Sequence, residues 1–317
     1  MSLPKFSSKA FLAPMAGVSD PALRLLCKKH GAGLVVTEFT NIYKIVSLMK
    51  NKHPQQVLGY SELERPLSIQ LFGSDIKTLE KAAKFVEPYF DIIDYNMGCP
   101  APHITQQMAG GALLQESNLT EKIFKTLVNA VEKPITLKMR CGVASSSQYL
   151  FEDIAKIAQD EGIQMITLHP RTVKQGYSGN SDWSLIKKLK KITRVPIVGN
   201  GDIRKPEDAK KMIDYTGCDY IMIGRGAMGN PFLFGQINDY LNKGSYKKYS
   251  LKDRLDLFLE YLSQALQYGI KFSRIKCQAM RFTKSSVAAG KLRLAITRSQ
   301  NVSELREIIN TAYIKNT

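Results

Sequence analysis

The sequence predicts an α/β fold, a (β/α)8 TIM barrel, with a smaller all-helical domain at its C-terminal end. The first observation behind this is a repeat. Over about 240 residues, eight short apolar runs alternate with amphipathic runs at roughly thirty-residue spacing. The second is a change of period. From about Tyr246 no strand-like run remains, and Leu251, Leu255, Phe258, Leu262, Ile275, Met280, Phe282, Leu292 and Ile296 recur at helical spacing. The third is an omission: no G-x-G-x-x-G follows the first strand, which argues against an open, doubly wound sheet. Asn242-Lys243-Gly244-Ser245 has linker composition, so the expected barrel is residues 1–243 and the helical domain 244–317.

The elements follow in order. Phe11 to Met15 is the first strand, and Asp20-Pro21 reads as an N-cap with Pro at the first helical position, opening a helix that closes at Gly31. Leu34 to Phe39 is the second strand. Pro66 to Phe72 is the third, with Ser74 or Asp75 capping the helix toward Val86. Ile92 to Met97 is the fourth, followed by a helix from Asn118 to Val131. Ile135 to Arg140 is the fifth, followed by Tyr149 to Glu161. Met165 to His169, Val195 to Asn200 and Tyr220 to Gly224 complete the strands. Their helices are Asp182 to Lys191, Lys205 to Tyr215 and Pro231 to Leu241.

Charge narrows the partners. The chain of 317 residues carries a formal net charge of +17. Residues 244–317 hold 14 Lys and Arg against 5 Asp and Glu, so +9 of the +17 sits there. An excess of this size favours a polyanion. A membrane partner is not expected, because no apolar run approaches a membrane span and no basic amphipathic helix shows exposed aromatics. Cys27, Cys99, Cys141, Cys218 and Cys277 stand singly, without a C-x-x-C pair, so neither a metal site nor a disulfide framework is expected. A reducing cytoplasm and a monomeric chain are the simplest expectations. Cys27, Cys218 and Cys277 read as small buried hydrophobes.

Strand alternation then gathers polar residues. Ile135, Leu137 and Met139 suit the outer helices, which turns Thr136, Lys138 and Arg140 toward the barrel axis. By the same rule Gln70, Asn96, His169 and Asn200 point inward near the C-terminal strand ends, where barrels of this kind hold their chemistry. A buried Lys138 needs an anionic or strongly accepting partner. Gly199-Asn200-Gly201-Asp202 follows the seventh strand and Gly224-Arg225-Gly226-Ala227 the eighth, the two turns that commonly bind a phosphate through backbone N–H groups. Arg225 adds a fixed positive fork. A phosphate clamp, a lysine and amide side chains at one mouth suit flavin mononucleotide, FMN. Cys99, between Gly98 and Pro100 at the end of the fourth strand, is the candidate reactive thiol, open to nucleophilic, redox or proton-donor roles, with Cys141 a distant second.

These stretches together resemble the dihydrouridine synthases, flavoenzymes that reduce uridines in tRNA. The match runs in order through Ala13-Pro14-Met15-Ala16-Gly17-Val18-Ser19-Asp20, Gln70-Leu71-Phe72-Gly73, Asn96-Met97-Gly98-Cys99-Pro100, Gly110-Gly111-Ala112-Leu113-Leu114, Lys138-Met139-Arg140 and His169-Pro170-Arg171-Thr172. Gln175-Gly176-Tyr177-Ser178-Gly179, Gly199-Asn200-Gly201-Asp202-Ile203 and Gly224-Arg225-Gly226-Ala227 extend it to about Pro231. It implies FMN held by Ala13, Pro14, Met15, Gln70, Lys138, His169, Asn200, Gly201, Asp202, Gly224 and Arg225, and reduced by NADPH or NADH. It implies Cys99 as the proton donor to the uracil. Asn96, Arg140, Arg171 and Tyr177 would hold the target nucleotide, and Arg274, Arg281, Lys284, Arg293 and Arg298 would meet tRNA phosphates. Three places depart from the family pattern: His103 stands where a lysine is frequent, Pro170 where the pattern has glycine, and Ala288-Ala289-Gly290 where the helical tail often has Pro-Gly. A flavoenzyme acting on a free pyrimidine, like dihydroorotate dehydrogenase, would leave the basic tail without a role. A tRNA-binding barrel without catalysis would leave the mouth residues without one.

Overall fold

The computed structural model describes residues 2–50, 58–144, 149–284 and 289–314. Eight parallel strands form the wall: β1 (Ala10–Leu12), β2 (Leu34–Val36), β3 (Leu67–Phe72), β4 (Ile92–Met97), β5 (Ile135–Arg140), β6 (Met165–His169), β7 (Ile197–Asn200) and β8 (Tyr220–Ile223). Each pairs with the next, and β8 returns to β1 with Phe11 opposite Met222, so the barrel is closed and has no free edge. Between them lie α1 (Pro21–Lys29), α2 (Ile42–Leu48), α3 (Ile76–Val86), α4 (Ser117–Ala130), α5 (Phe151–Asp160), α6 (Trp183–Ile192), α7 (Pro206–Thr216) and α8 (Phe232–Lys243).

Local chemistry starts α1, α3 and α6 where the sequence indicated. Asp20, Asp75 and Asp182 each accept a backbone N–H from the first turn of α1, α3 and α6. The second strand is shorter than expected, ending at Val36 instead of Phe39. There the Thr37 and Thr40 hydroxyls both donate to the Glu38 carbonyl and turn the chain. A two-residue strand, Thr40–Asn41, then rejoins β3 at Leu71 and Phe72, and Asn41 caps α2. That helix and a four-residue helix at Pro102–Thr105 were not expected from the sequence. Both are too short for a period to declare itself.

The barrel interior has two layers. Its floor is apolar: Phe11, Ala13, Leu34, Val36, Ile92, Met165, Val198 and Met222 pack together. Phe6 closes this end, with its ring 4.8 Å from Phe11 and 5.2 Å from Tyr220. Above the floor the inward side chains are polar, which is what positions the site. The opposite strand faces (Leu67, Ile69, Leu71; Ile93, Tyr95, Met97; Ile135, Leu137, Met139) bury against the helices.

After α8, Gly244 takes a left-handed φ of 73° and ends the helix. A helical region follows: α9 (Leu251–Gln267), α10 (Phe272–Phe282), α11 (Ala289–Arg298) and α12 (Val302–Ile314). Ser250 and Asp253 form a capping box that opens α9. Leu255, Phe258, Tyr261 and Leu262 of α9 are fully buried, and α9 packs on α1 of the barrel. Each such side chain contributes about 1.5–3 kcal/mol by leaving water. Cys27 and Cys218 are buried as expected, whereas Cys277 is exposed, because it falls on the outer face of α10 between buried Ile275 and Ala279. Among the described residues no helix is long and apolar enough to cross a membrane, and no cluster of three or more His, Cys, Asp or Glu side chains could hold a metal ion.

Candidate active site

A cavity of about 550 Å³ opens at the C-terminal ends of the strands. Cys99 stands on its wall. So do Ala13, Pro14, Met15, Gln70, Asn96, Lys138, Arg140, His169, Tyr177, Asn200, Gly201, Asp202, Gly224 and Arg225. The period of two brings the polar set together: Asn96 on β4 lies opposite Lys138 on β5, and Arg140 opposite His169 on β6.

The Cys99 turn is built by Asn96. Its Oδ1 accepts the N–H groups of both Gly98 and Cys99 at 3.0 Å. Its Nδ2 donates to Gln70 Oε1 at 2.7 Å, and Gln70 Nε2 donates to Asp94 Oδ2 at 2.6 Å. Thr136 completes the chain by donating to Asp94 Oδ1. Gln70 and Asn96, expected to face a ligand with free amides, therefore spend much of their hydrogen bonding on each other and on the turn. Behind the turn Gly111 donates its N–H to the Cys99 carbonyl at 3.1 Å, and a Cβ on Gly110 would stand 3.0 Å from that oxygen. Burial pushes the Cys99 thiol above its ordinary pKa, against the Ala101 N–H and the charges of Arg140 and Lys138, so the sulfur keeps its proton near neutrality.

Lys138 donates to Asn200 Oδ1 at 3.1 Å, and Asn200 Nδ2 donates to the Met222 carbonyl at 2.7 Å. Burial, together with the nearby Arg140 charge, lowers the Lys138 pKa to about 8 despite Asp94 and Cys99. The expected strong acceptor is thus a neutral amide. Burial and the charges of Lys138, Arg140 and Arg171 press His169 down to about 2, so it is neutral at working pH. Arg171 Nη1 lies 3.3 Å from His169 Nε2; a guanidinium only donates, so that nitrogen accepts and Nδ1 carries the proton.

Beside the turns after β7 and β8 lies a three-membered charge cluster. Asp202, in a left-handed φ of 55°, accepts from Arg171 at 2.6 Å and from Arg225 at 2.9 Å. Burial opposes ionisation of Asp202, but the bonds from Arg171 and Ser181 hold its pKa at about 2. Two guanidiniums and one carboxylate leave one net positive charge beside the glycine turns. A Cβ on Gly224 would sit 3.8 Å from that of Ala13 and 3.7 Å from the Met15 sulfur, both on the cavity wall, so glycine keeps this corner open. A site with one surplus positive charge at a glycine corner and a lysine beyond it fits a phosphorylated, ring-bearing cofactor.

Several expectations need correction. Arg140 lines the cavity, but its Nε donates to the Gly98 carbonyl at 2.9 Å and its Nη1 to the carbonyls of Thr172 and Gly176 at 2.8 and 2.9 Å. It ties the Cys99 turn to the loop after β6 and has little left with which to grip a ligand. Arg171 is 1% exposed and off the cavity wall; besides Asp202 it holds the Ser178 and Gly179 carbonyls. Tyr177, 60% exposed, is instead carried to the rim by that loop, with Arg225 4.8 Å and Arg140 5.7 Å from its ring centre. Cys141 is buried and off the cavity wall, so it cannot reach a bound base, which removes it as the rival acid.

Arg274, Arg281, Lys284, Arg293 and Arg298 lie outside the cavity, on α10, the turn after it, and α11. Arg274 reaches Glu38 at 3.3 Å, next to cavity-lining Phe39, so α10 borders the mouth. Lys284, Arg293 and Arg298 are exposed. Phe39, Ile203, Arg204 and Met228 also line the cavity and were not expected there. Phe39 reaches the wall only because the second strand breaks early.

The model of the family described as dihydrouridine synthase matches residues 11–316. The chain is 41% identical over 243 residues to tRNA-dihydrouridine synthase B of Vibrio parahaemolyticus, covering 76% of this chain and 74% of that one. It is 38% identical over 277 residues to tRNA-dihydrouridine synthase B of Shewanella oneidensis, covering 85% of each. Among solved structures, the old yellow enzyme homologue of Zymomonas mobilis superposes with a TM-score of 0.54 at 15% identity, over 79% of this chain and 94% of that one. Morphinone reductase in complex with tetrahydroNAD gives 0.56 at 10% identity, over 78% and 90%. At such identities the likeness concerns the barrel fold alone.

Proposed function

The chain belongs to the dihydrouridine synthase family, and from that premise we propose that it reduces uridines in tRNA to 5,6-dihydrouridine at the barrel mouth, with Cys99 as the proton donor. The observation that carries this reading is that Cys99 shares one cavity wall with Lys138, Asn200 and the two glycine turns.

Bound in this cavity, FMN would provide hydride chemistry toward C6 of the uracil, with a nicotinamide as its reductant. The protein's own residues do the rest. The Gly201 and Gly224 turns and the surplus charge of the Arg171–Asp202–Arg225 cluster would hold the phosphate of the cofactor. Lys138 stands as a movable cation for anionic charge on the ring, with Asn200 orienting its amine. Neutral His169, fixed in one tautomer by Arg171, donates through Nδ1. Adding hydride to C6 leaves an enolate-like pair of electrons at C5, which must take a proton. Cys99 Sγ–H gives that proton, and the thiolate regains one from water. Asn96 and Arg140 act on the reaction by holding the Cys99 turn from either side.

The base has to leave its stack to enter such a cavity. The basic helical region, with α10 bordering the mouth, supports the reading that residues 244–317 form a unit that positions tRNA by its phosphates. NADPH is the proposed reductant, with NADH the alternative, and comparing flavin bleaching rates with the two decides between them. The chain is proposed to act as a monomer, which light scattering during gel filtration tests.

Cys99→Ala tests the acid. Turnover on unmodified tRNA falls by roughly 10²–10⁴-fold while FMN content and tRNA affinity hold. Dihydrouridine formation at the parent rate would remove Cys99 from this role. In the parent, single-turnover rates on bound tRNA are expected to hold through neutrality and to decline only above the ordinary thiol range, because burial raises the thiol pKa.

A further inference from the structure

The segment from Ala13 to Ser19 forms much of one cavity wall yet belongs to no strand or helix. Its last ladder bond is from the Ala13 N–H to the Ile223 carbonyl at 2.9 Å. Beyond that it is a tight turn closed on itself. Val18 and Ser19 donate their N–H groups to the Met15 carbonyl at 3.0 and 2.9 Å, and the Ser19 hydroxyl accepts the Met15 N–H at 2.8 Å. Gly17 provides the left-handed φ of 70° that the turn requires. Such a turn needs outside support to keep one position, and part of that support comes from more than 240 residues away in the chain.

Gln278, on α10, donates through Nε2 to the Val18 carbonyl at 2.8 Å. Tyr261, on α9, donates its hydroxyl to Asp20 Oδ2 at 3.0 Å, while Asp20 Oδ1 caps α1 at the Leu23 N–H. On the barrel side Arg24 donates to the Ser19 carbonyl at 2.9 Å and is itself paired with buried Glu64. Tyr261, Gln278 and Asp20 are 0%, 1% and 2% exposed. Water does not replace a bond lost at such depth.

We propose that Tyr261 and Gln278 are positioning residues for the flavin site: through Asp20 and the Val18 carbonyl, the helical region holds the Ala13–Val18 wall in its binding shape. This rests on the reading of the mouth as an FMN site. It gives α9 and α10 a second task besides meeting tRNA. Neither residue lines the cavity, and both are too deeply buried to meet a phosphate. Their effect on the cofactor is therefore separable from tRNA binding.

The experiment titrates the FMN-stripped full chain with FMN, read by flavin fluorescence and by visible circular dichroism of the bound ring. The parent, Tyr261→Phe, Gln278→Leu and Leu305→Ala are compared, the last being a buried apolar position on α12 that makes no side-chain hydrogen bond to the turn. Tyr261→Phe and Gln278→Leu are expected to raise the FMN Kd by about tenfold each, the scale of one lost buried hydrogen bond. The flavin dichroism changes, the Val18 and Ser19 amides exchange hydrogen faster, and tRNA affinity stays within about twofold. Leu305→Ala lowers thermal stability and leaves the FMN Kd at the parent value. FMN affinity and dichroism unchanged in both clamp variants would overturn the proposal, as would an equal loss in Leu305→Ala, which would mark a general stability effect. A parent that takes up no FMN would overturn the flavin reading itself, and this proposal with it.

Discussion

Lys138 has a measurable signature at the scale of the single residue. Folded, it gives up its proton near pH 8; unfolded, it holds it to about 10.5. Between those values the unfolded state binds more protons, so this group makes the FMN-free protein more stable as pH rises through the window. Lys138→Met is expected to abolish that rise, which urea denaturation of parent and variant on either side of pH 8 will show. His169 works at the acid end. It stays neutral down to about pH 2, while its unfolded counterpart takes a proton below 6.5, so stability falls on acidification through that range. Arg140 shows where residue-level reading of a sequence stops. An inward arginine looks the same in the chain whether its donors meet a ligand or three backbone carbonyls. Only the folded loop after β6 shows that they meet carbonyls. Arg140→Met should therefore cost about 1–3 kcal/mol of stability for the acceptors it leaves unpaired, visible as a lowered thermal midpoint even without tRNA.

Elements with two contrasting faces were legible in advance. β4, β5 and β6 have the expected ends because each alternates apolar and polar residues and begins and stops at turn residues. Asp20, Asp75 and Asp182 marked helix starts by their side-chain chemistry. Where alternation was absent the reading failed. Leu34 to Phe39 offers no period to say where pairing ends, and α2 has only seven residues. The helical region was legible as helices, but not how closely α9 and α10 pack against the barrel. That packing gives an element-scale expectation. Removing residues 246–317 uncovers the apolar side of α1 and takes away the donors to Asp20 and Val18. The truncated chain should lose bound flavin as well as tRNA binding, which absorbance of the gel-filtered protein will read.

For the whole molecule the governing quantity is charge. With +9 of the +17 in the last 74 residues, tRNA binding should weaken steeply with salt, since phosphate contacts release counterions. Arg293→Ala and Arg298→Ala, both exposed on α11, should each flatten the slope of log K against log salt by about one unit without changing the FMN Kd. Fluorescence anisotropy of labelled tRNA across a salt series measures this; an unchanged slope would place the RNA elsewhere. The pairing of Asn96 with Lys138 across β4 and β5 has a consequence for how such a chain can diverge. The thiol's turn hangs from Asn96 and the amine from its strand neighbour, so their separation is set by sheet register. The chain between them can gain or lose length in descendants of this sequence while the two reactive groups stay where they are, provided the change falls clear of α4 and of the Gly110–Gly111 brace behind the thiol.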